Sequence, residues 1–295
     1  MEVKKLFKFI ENNNTEDKLI RLQLDRFADK IDNQIQNKLM TDLMVKYADL
    51  SKSFEEKNKL LLENRKKLQK YNLHLEELVN EKVKEITEAQ MATIFALVKL
   101  AESRDDETGN HIERTAELCR LLASLLRKHT DYKELIDEKY IENIYKASPL
   151  HDIGKVGIPD AILLKKGRLS KEEFEIMKTH VDIGYKTLKE VHSQYKGNSF
   201  LQMGMDITKT HHEKWDGTGY PRGLEGQDIP LSGRIMALVD VYDALRSKRV
   251  YKEAYSHDKS INIILDNKAK HFDPLLVEVF ADSHLEFMKV HDYFQ

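Results

Sequence analysis

A chain of 295 residues has room for one large domain or two modest ones, and 33% charged and 41% hydrophobic residues with only 5 prolines and 12 glycines exclude a turn-rich β protein. A formal net charge of −2 excludes a non-specific binder of nucleic-acid polymers, so an anionic ligand must be met by a local cluster of cations. The single cysteine, Cys119, excludes an internal disulfide and a thiolate metal cage; it reads as a small buried apolar residue and fits a reducing, cytoplasmic compartment.

The start, MEVKKLFKFIENNN, is basic and then briefly apolar. It meets Glu11 and the asparagines at 12 to 14 before any cleavage-like site, so no signal peptide is expected. No run of roughly 18 apolar residues occurs, so no membrane span is expected. From Thr15 to about Leu100 there is neither proline nor glycine, which predicts a long helix. Ile20, Leu24, Phe27, Ile31 and Ile35 mark a first amphipathic stretch, either a separate helical unit or the remnant of a sensor.

Phe54, Leu61, Leu68 and Leu75 then recur every seven residues, with Leu50, Tyr71 and Leu78 on the companion seam and Lys57 and Asn64 interrupting it. That pattern predicts a dimeric coiled coil; the alternative is a solvated helix lying against its own globular domain. From Val79 the seam moves by four residues to Val79, Val83, Ile86 and Leu97, a stutter that locally unwinds a supercoil and suits a signalling element. The expected divisions are a short helical segment of unassigned role over 1–45, a coiled-coil signalling helix over 46–91, and a globular domain over 92–295.

Beyond residue 100 all five prolines and all the glycines appear, and the elements still read as helices. Ser170 and Glu173 form a capping box ahead of a stripe of Phe174, Met177, Val181 and Leu188. Pro230 opens a helix in which Ile235, Leu238, Tyr242 and Leu245 share a face. Between them, 213–229 is a structured loop with four glycines.

The chemistry concentrates in a few polar residues placed where burial is expected. His151 and Asp152 lie between Pro149, which ends or kinks a helix, and Gly154, which predicts a turn. His180 follows Met177 by three positions, and His211 is in register with Phe200, Gly204 and Ile207, so both should point inward, with His212 beside the latter. Asp240 sits among apolar residues. Burying these groups without partners would cost several kcal/mol each, and a shared metal centre removes that cost. Imidazole and carboxylate without sulfur suit iron, manganese, zinc or nickel in a multinuclear site, with Asp152 as the natural bridge. Two such ions can lower the pKa of water and brace an in-line phosphoryl displacement. His74, His129, His192, His257, His284 and His291 read as ordinary surface or core residues, and His271 as a packing or capping residue.

The strings HDIGK at 151–155, IPDAILLKKGRLSKEEFEIMKTH ending at His180, HHEKWDGTGYPRGLEGQDIPL from His211, and RIMALVDVYDAL resemble, in order and type, the HD-GYP phosphodiesterases from about residue 90 onward. The resemblance implies an all-α fold: an HD-domain helical bundle with a GYP extension at Gly219, Tyr220 and Pro221, here preceded by the long N-terminal coiled-coil helix. It implies hydrolysis of cyclic di-GMP to the linear dinucleotide and then GMP, with two or three divalent metal ions, iron or manganese. By motif, His151, Asp152, His180, His211, His212 and Asp240 match the ligands of two metals, and Glu107 and His111 in ESRDDETGNH match the extra ligands of members holding three. Lys155, Arg249 and Lys252 match substrate-phosphate contacts. Val250 stands where the family usually has proline, so that loop is expected to be less rigid. Tyr220 is expected to shape the pocket, and Asp105 and Asp243 to support the site or touch substrate. Expected partners are cyclic di-GMP, a second copy through the coiled coil, and an upstream sensor or receiver protein. Two rivals stay open: a non-catalytic cyclic-dinucleotide receptor, and an HD phosphohydrolase of another cyclic dinucleotide.

Overall fold

Where glycine and proline are missing, the backbone does not stop. In the computed structural model, which describes residues 17–102, 110–129, 132–248 and 253–294, the first stretch is one helix, α1 (Asp17–Glu102). It runs unbroken through residues 45 and 91, so neither expected division falls at the end of an element. The chain divides instead into two compact units after Val83. In the first unit Phe54, Leu61, Leu68 and Leu75 are all exposed, as are Phe27, Ile31 and Ile35 upstream.

The second unit begins with the last turns of α1, where Met91 and Val98 are buried. It continues with α2 (His111–Leu126), α3 (Glu138–Ala147), α4 (Asp160–Leu163), α5 (Lys171–Gln194), α6 (Ser199–Thr210), α7 (Leu231–Arg246), α8 (His257–Asp266), α9 (Pro274–Asp282) and α10 (His284–Tyr293). Among the described residues there is no β-strand, only the isolated bridges Asp216–Glu225 and Lys268–Phe272. No described helix is long and apolar enough to cross a membrane.

Local sequence fixes the helix starts. Asp137, Ser170, Asn198, Ser256 and Asp273 each accept a hydrogen bond from a backbone N–H of the first turn that follows, and Ser170 with Glu173 completes the capping box. The main core joins Leu118 and Leu122 of α2, Ile144 of α3, Ile207 of α6, Ile235 and Tyr242 of α7, and Phe280 of α9. Cys119 lies within it, as its apolar reading requires, and burial pushes its thiol pKa far up. Val181 and Leu188 of the α5 stripe are buried, but Phe174 is 45% exposed, so the stripe turns away from the core in the first turn of the helix.

Pro149 acts as expected. It ends α3 in a 3₁₀ turn, Ser148–Leu150, and a second 3₁₀ turn, Ile153–Gly157, follows, with His151 and Asp152 in the break between them. Gly154 lets this break approach α5: a Cβ there would sit 1.9 Å from the carbonyl oxygen of His180. The turn and the helix therefore meet backbone to backbone, which sets Asp152 beside His180. Gly154→Ala is expected to lower stability by about 1–3 kcal/mol through overpacking, and denaturant unfolding of variant and parent measures it.

Candidate metal centre

The elements deliver seven donor side chains to one region. His111 is the first residue of α2, His151 and Asp152 lie in the break after Pro149, His180 is in the middle of α5, His211 and His212 close α6, and Asp240 is on α7. His111, His151, Asp152, His180 and His211 are buried; His212 and Asp240 are partly so.

Three of the imidazoles have their tautomer fixed by the backbone. A carbonyl oxygen can only accept, so each Nδ1 facing one must carry the proton. His151 Nδ1 donates to Ser148 O at 2.9 Å, His180 Nδ1 to Met177 O at 2.7 Å, and His211 Nδ1 to Ile207 O and Thr208 O at 3.1 and 3.2 Å. The three Nε2 atoms are left as bare lone pairs, buried and without a hydrogen-bond partner, as is Asp152 Oδ1. They face one another. His180 Nε2 and His211 Nε2 lie 3.2 and 3.5 Å from Asp152 Oδ1, and His151 Nε2 lies 3.4 Å from Asp152 Oδ2.

Lone pairs converging on a carboxylate in a buried site require a positive charge between them. A metal ion supplies that charge, and without one a proton on His180 does so. Burial lowers the pKa of His180, but its bond to Asp152 and the charge of that carboxylate outweigh burial and leave it raised. Burial lowers that of His151, and burial with the neighbouring His211 lowers that of His212 strongly, so both are neutral donors. Burial acts to raise the pKa of Asp152, yet the charges of Lys155 and His151 and the bonds from His180 and His211 hold it well below the usual carboxylate range.

Two groups of donors result, Asp152 with His180, His211 and His212, and His111 with His151 and Asp240; in each, one ligand atom per residue lies within 4.8 Å of the others. That spacing suits one divalent cation per group, and nitrogen and oxygen without sulfur is the donor set expected from the sequence. The groups abut through His151 and His211, whose ring centroids are 5.3 Å apart.

Of the other sequence-predicted residues, Lys155 and Tyr220 lie against this centre. Lys155 Nζ lies 2.8 Å from Asp152 Oδ2. Tyr220 stacks on His212, with centroids 4.7 Å apart and planes at 28°, and so forms a wall of the site. Of the two readings of Asp243, the geometry favours support: only 1% exposed, it accepts from both Nε and Nη2 of Arg114 and, at 2.7 Å, from His111 Nδ1. The helix carrying His111 starts at that residue, with Asn110 as its N-cap. Asp105, Glu107, Arg249, Val250 and Lys252 lie outside the described residues.

Two supporting residues escaped the sequence reading. Arg114 is 3% exposed, and its place one turn after His111, between Ile112 and Ala116, was the available signal. Glu213 is 1% exposed and accepts from the backbone N–H groups of Arg222 and Leu224 at 2.8 and 3.0 Å, which folds the GYP loop back towards His212. His291, read as an ordinary histidine, is buried 3.7 Å from Asp243.

Burial acts to raise the pKa of Asp243, but the bonds and charges of Arg114 and His111 depress it far below its ordinary value of 3.8. A depressed carboxylate contributes stability that is present above its unfolded pKa and is lost as pH falls below it. Asp243→Asn leaves Arg114 buried without its counter-charge, so it is expected to cost about 3–5 kcal/mol at pH 7. The gap to the parent protein should narrow progressively below about pH 4, which denaturant unfolding across pH measures.

Residues 96–276 match the family model described as HD domain. A cyclic di-GMP phosphodiesterase of Vibrio cholerae is 50% identical over 211 residues, covering 72% of this chain and 43% of the relative. A probable cyclic di-GMP phosphodiesterase of the same organism is 44% identical, covering 74% and 50%. A 3'3'-cGAMP-specific phosphodiesterase 2, also from Vibrio cholerae, is 38% identical, covering 83% and 44%. The chain spans half or less of the length of these relatives. With more than half of its own length matched, including the His151–Asp152 pair and the donors around it, and with the Gly219, Tyr220, Pro221 loop closing on His212, the chain belongs to the HD domain family, in its HD-GYP branch.

Proposed function

We propose that this protein is a metal-dependent phosphodiesterase that hydrolyses cyclic di-GMP to the linear dinucleotide and then to GMP. One observation carries the reading: Asp152 stands between the two donor groups, with Oδ1 towards His180 and His211 and Oδ2 towards His151, as a bridging carboxylate would. In this reading His180, His211, His212 and Asp152 hold one divalent ion, and His111, His151, Asp240 and Asp152 hold another. Glu107 adds a ligand in a three-metal form. Iron or manganese fits the donor set. When bound, such ions supply a nucleophilic water at neutral pH and neutralise charge on the phosphoryl oxygens.

The chain supplies the rest. The carbonyls of Ser148, Met177 and Ile207 hold the imidazoles with Nε2 towards the centre, so no reorganisation is needed when a cation arrives. Lys155 sets an ammonium beside Asp152, where it can stabilise charge developing on a phosphoryl oxygen. By the resemblance, Arg249 and Lys252 offer cations to the substrate phosphates, and Asp105 supports the site or touches substrate. Relatives named as cyclic di-GMP phosphodiesterases support this substrate. The relative named as specific for 3'3'-cGAMP supports a second reading, in which the mixed cyclic dinucleotide is the substrate.

Asp152→Ala is expected to lose bound metal and to lose turnover by more than about 10³-fold. Metal analysis of anaerobically purified protein, coupled to product chromatography with each cyclic dinucleotide, measures both. Normal turnover by the variant would sink the assignment, and ligand binding without product from metal-loaded parent protein would point to a receptor.

We propose further that residues 46–91 form a parallel coiled coil in a homodimer, which passes an input from a sensor or receiver protein to the catalytic domain over 92–295. The exposed heptad residues Phe54, Leu61, Leu68 and Leu75 support it. Light scattering at micromolar concentration should give a dimer, and Leu61→Asp with Leu68→Asp should give a monomer. A monomeric parent protein would refute the proposal.

A further inference from the structure

Phe174 belongs by spacing to the apolar stripe of α5 but is 45% exposed. Single exposed apolar residues are ordinary on a protein surface. This one is not isolated. Its ring meets that of Tyr220 edge to face, with centroids 6.0 Å apart and planes at 81°, and Tyr220 in turn stacks on His212 of the candidate metal centre. Lys178, one turn along from Phe174, places its ammonium 5.6 Å from the centroids of both rings. It is also held by Glu175 at 2.7 Å. The pair is thus braced from two sides. Tyr220 is spent on His212, and Phe174 is the ring left open to solvent.

Resting on the phosphodiesterase reading, we propose that Phe174, braced by Tyr220 and Lys178, is the stacking platform for one purine base of the cyclic dinucleotide. Phe174 is joined to His212 of the candidate centre through Tyr220, two ring contacts away. A flat ring in a fixed orientation gains stacking at little entropic cost. Stacking uses the π-face common to all bases, so the platform serves guanine and adenine alike and does not select between the two candidate substrates.

Phe174→Leu keeps the apolar bulk and removes the π-face. It is expected to raise KM for cyclic di-GMP by about 10-fold, with the loss on KM rather than kcat and with metal content retained. Phe174→Tyr restores the parent KM. Ile176→Ala, at an equally exposed apolar residue of the same helix, does not change it. A KM for Phe174→Leu within about two-fold of the parent overturns the platform, and so does a fall in kcat that follows metal content. If metal-loaded parent protein turns over no cyclic dinucleotide, the phosphodiesterase reading fails by itself. Equilibrium dialysis of cyclic di-GMP against the same variants then decides the platform: weaker binding by Phe174→Leu upholds it, and equal binding overturns it.

Discussion

Three imidazole nitrogens aimed at one buried carboxylate are the contact around which the site is built. In the neutral imidazole each Nε2 is a lone pair, because Nδ1 donates its proton to a backbone carbonyl, and Asp152 offers only acceptors in return, so a cation or a proton is needed among them. Withdrawing a carboxylate from water costs several kcal/mol even after relaxation, and Lys155 at 2.8 Å together with the surrounding imidazoles outweighs that cost for Asp152. The arrangement persists because the core around it fixes the backbone at every donor. Pro149 ends α3 one residue before the turn that presents His151, Gly154 permits the contact with α5, and α6 terminates where His211 must point inward. Fold energy is thereby invested in holding a cation site open.

The donors are supported in two different ways, and the difference follows from position. His151, His180 and His211 each lean on a carbonyl three or four residues back, which any helical turn provides at no cost in sequence. His111 is the first residue of α2. Asp243 takes the place of that carbonyl, reaching across from α7, and a carboxylate makes the imidazole a more basic donor than a carbonyl does. A buried carboxylate needs its own counter-charge, which explains Arg114. The C-terminal helix closes the arrangement, with His291 beside Asp243 and the Asn110 side-chain amide donating to Phe294 O at 2.9 Å.

Much of this was legible in the sequence where local rules decide it. Proline and glycine punctuation located the HD break, and helical periodicity turned His180 and His211 inward. Arg114 and Glu213 were not legible, because an isolated charged residue reads as solvated unless its partner is known. The partner of Arg114 is 129 residues away, and the partners of Glu213 are backbone groups of a loop with no regular period. Asp243 was read as a support or a substrate contact without a choice between them; its contacts with Arg114 and His111 are those of a support. Phe174 fitted the period of its helix but lies in a first turn that extends beyond the core, and periodicity carries no information on where a core ends. The heptad of α1 is legible as a pattern, and its residues Phe54, Leu61, Leu68 and Leu75 are exposed.

The last turns of α1 meet the donors at a particular place. Ile94, Phe95 and Val98 pack in a small apolar cluster with Ile112, Leu150, Leu188 and Met205, and Lys99 pairs with Glu113 at 2.5 Å. Ile112 follows His111 directly, and Leu150 directly precedes His151, so this cluster holds the backbone on which two donors of one metal group are mounted. Leu188 and Met205 belong to α5 and α6, which carry the donors of the other group, but they lie well along their helices from His180 and His211. Close-packed interiors transmit displacement with little loss. A rotation or slide of the end of α1 would therefore bear first on the backbone of His111 and His151, and through the adjacent Asp152 on the distances to His180 and His211. Asp152, which spans both groups, is the side chain that would register that change.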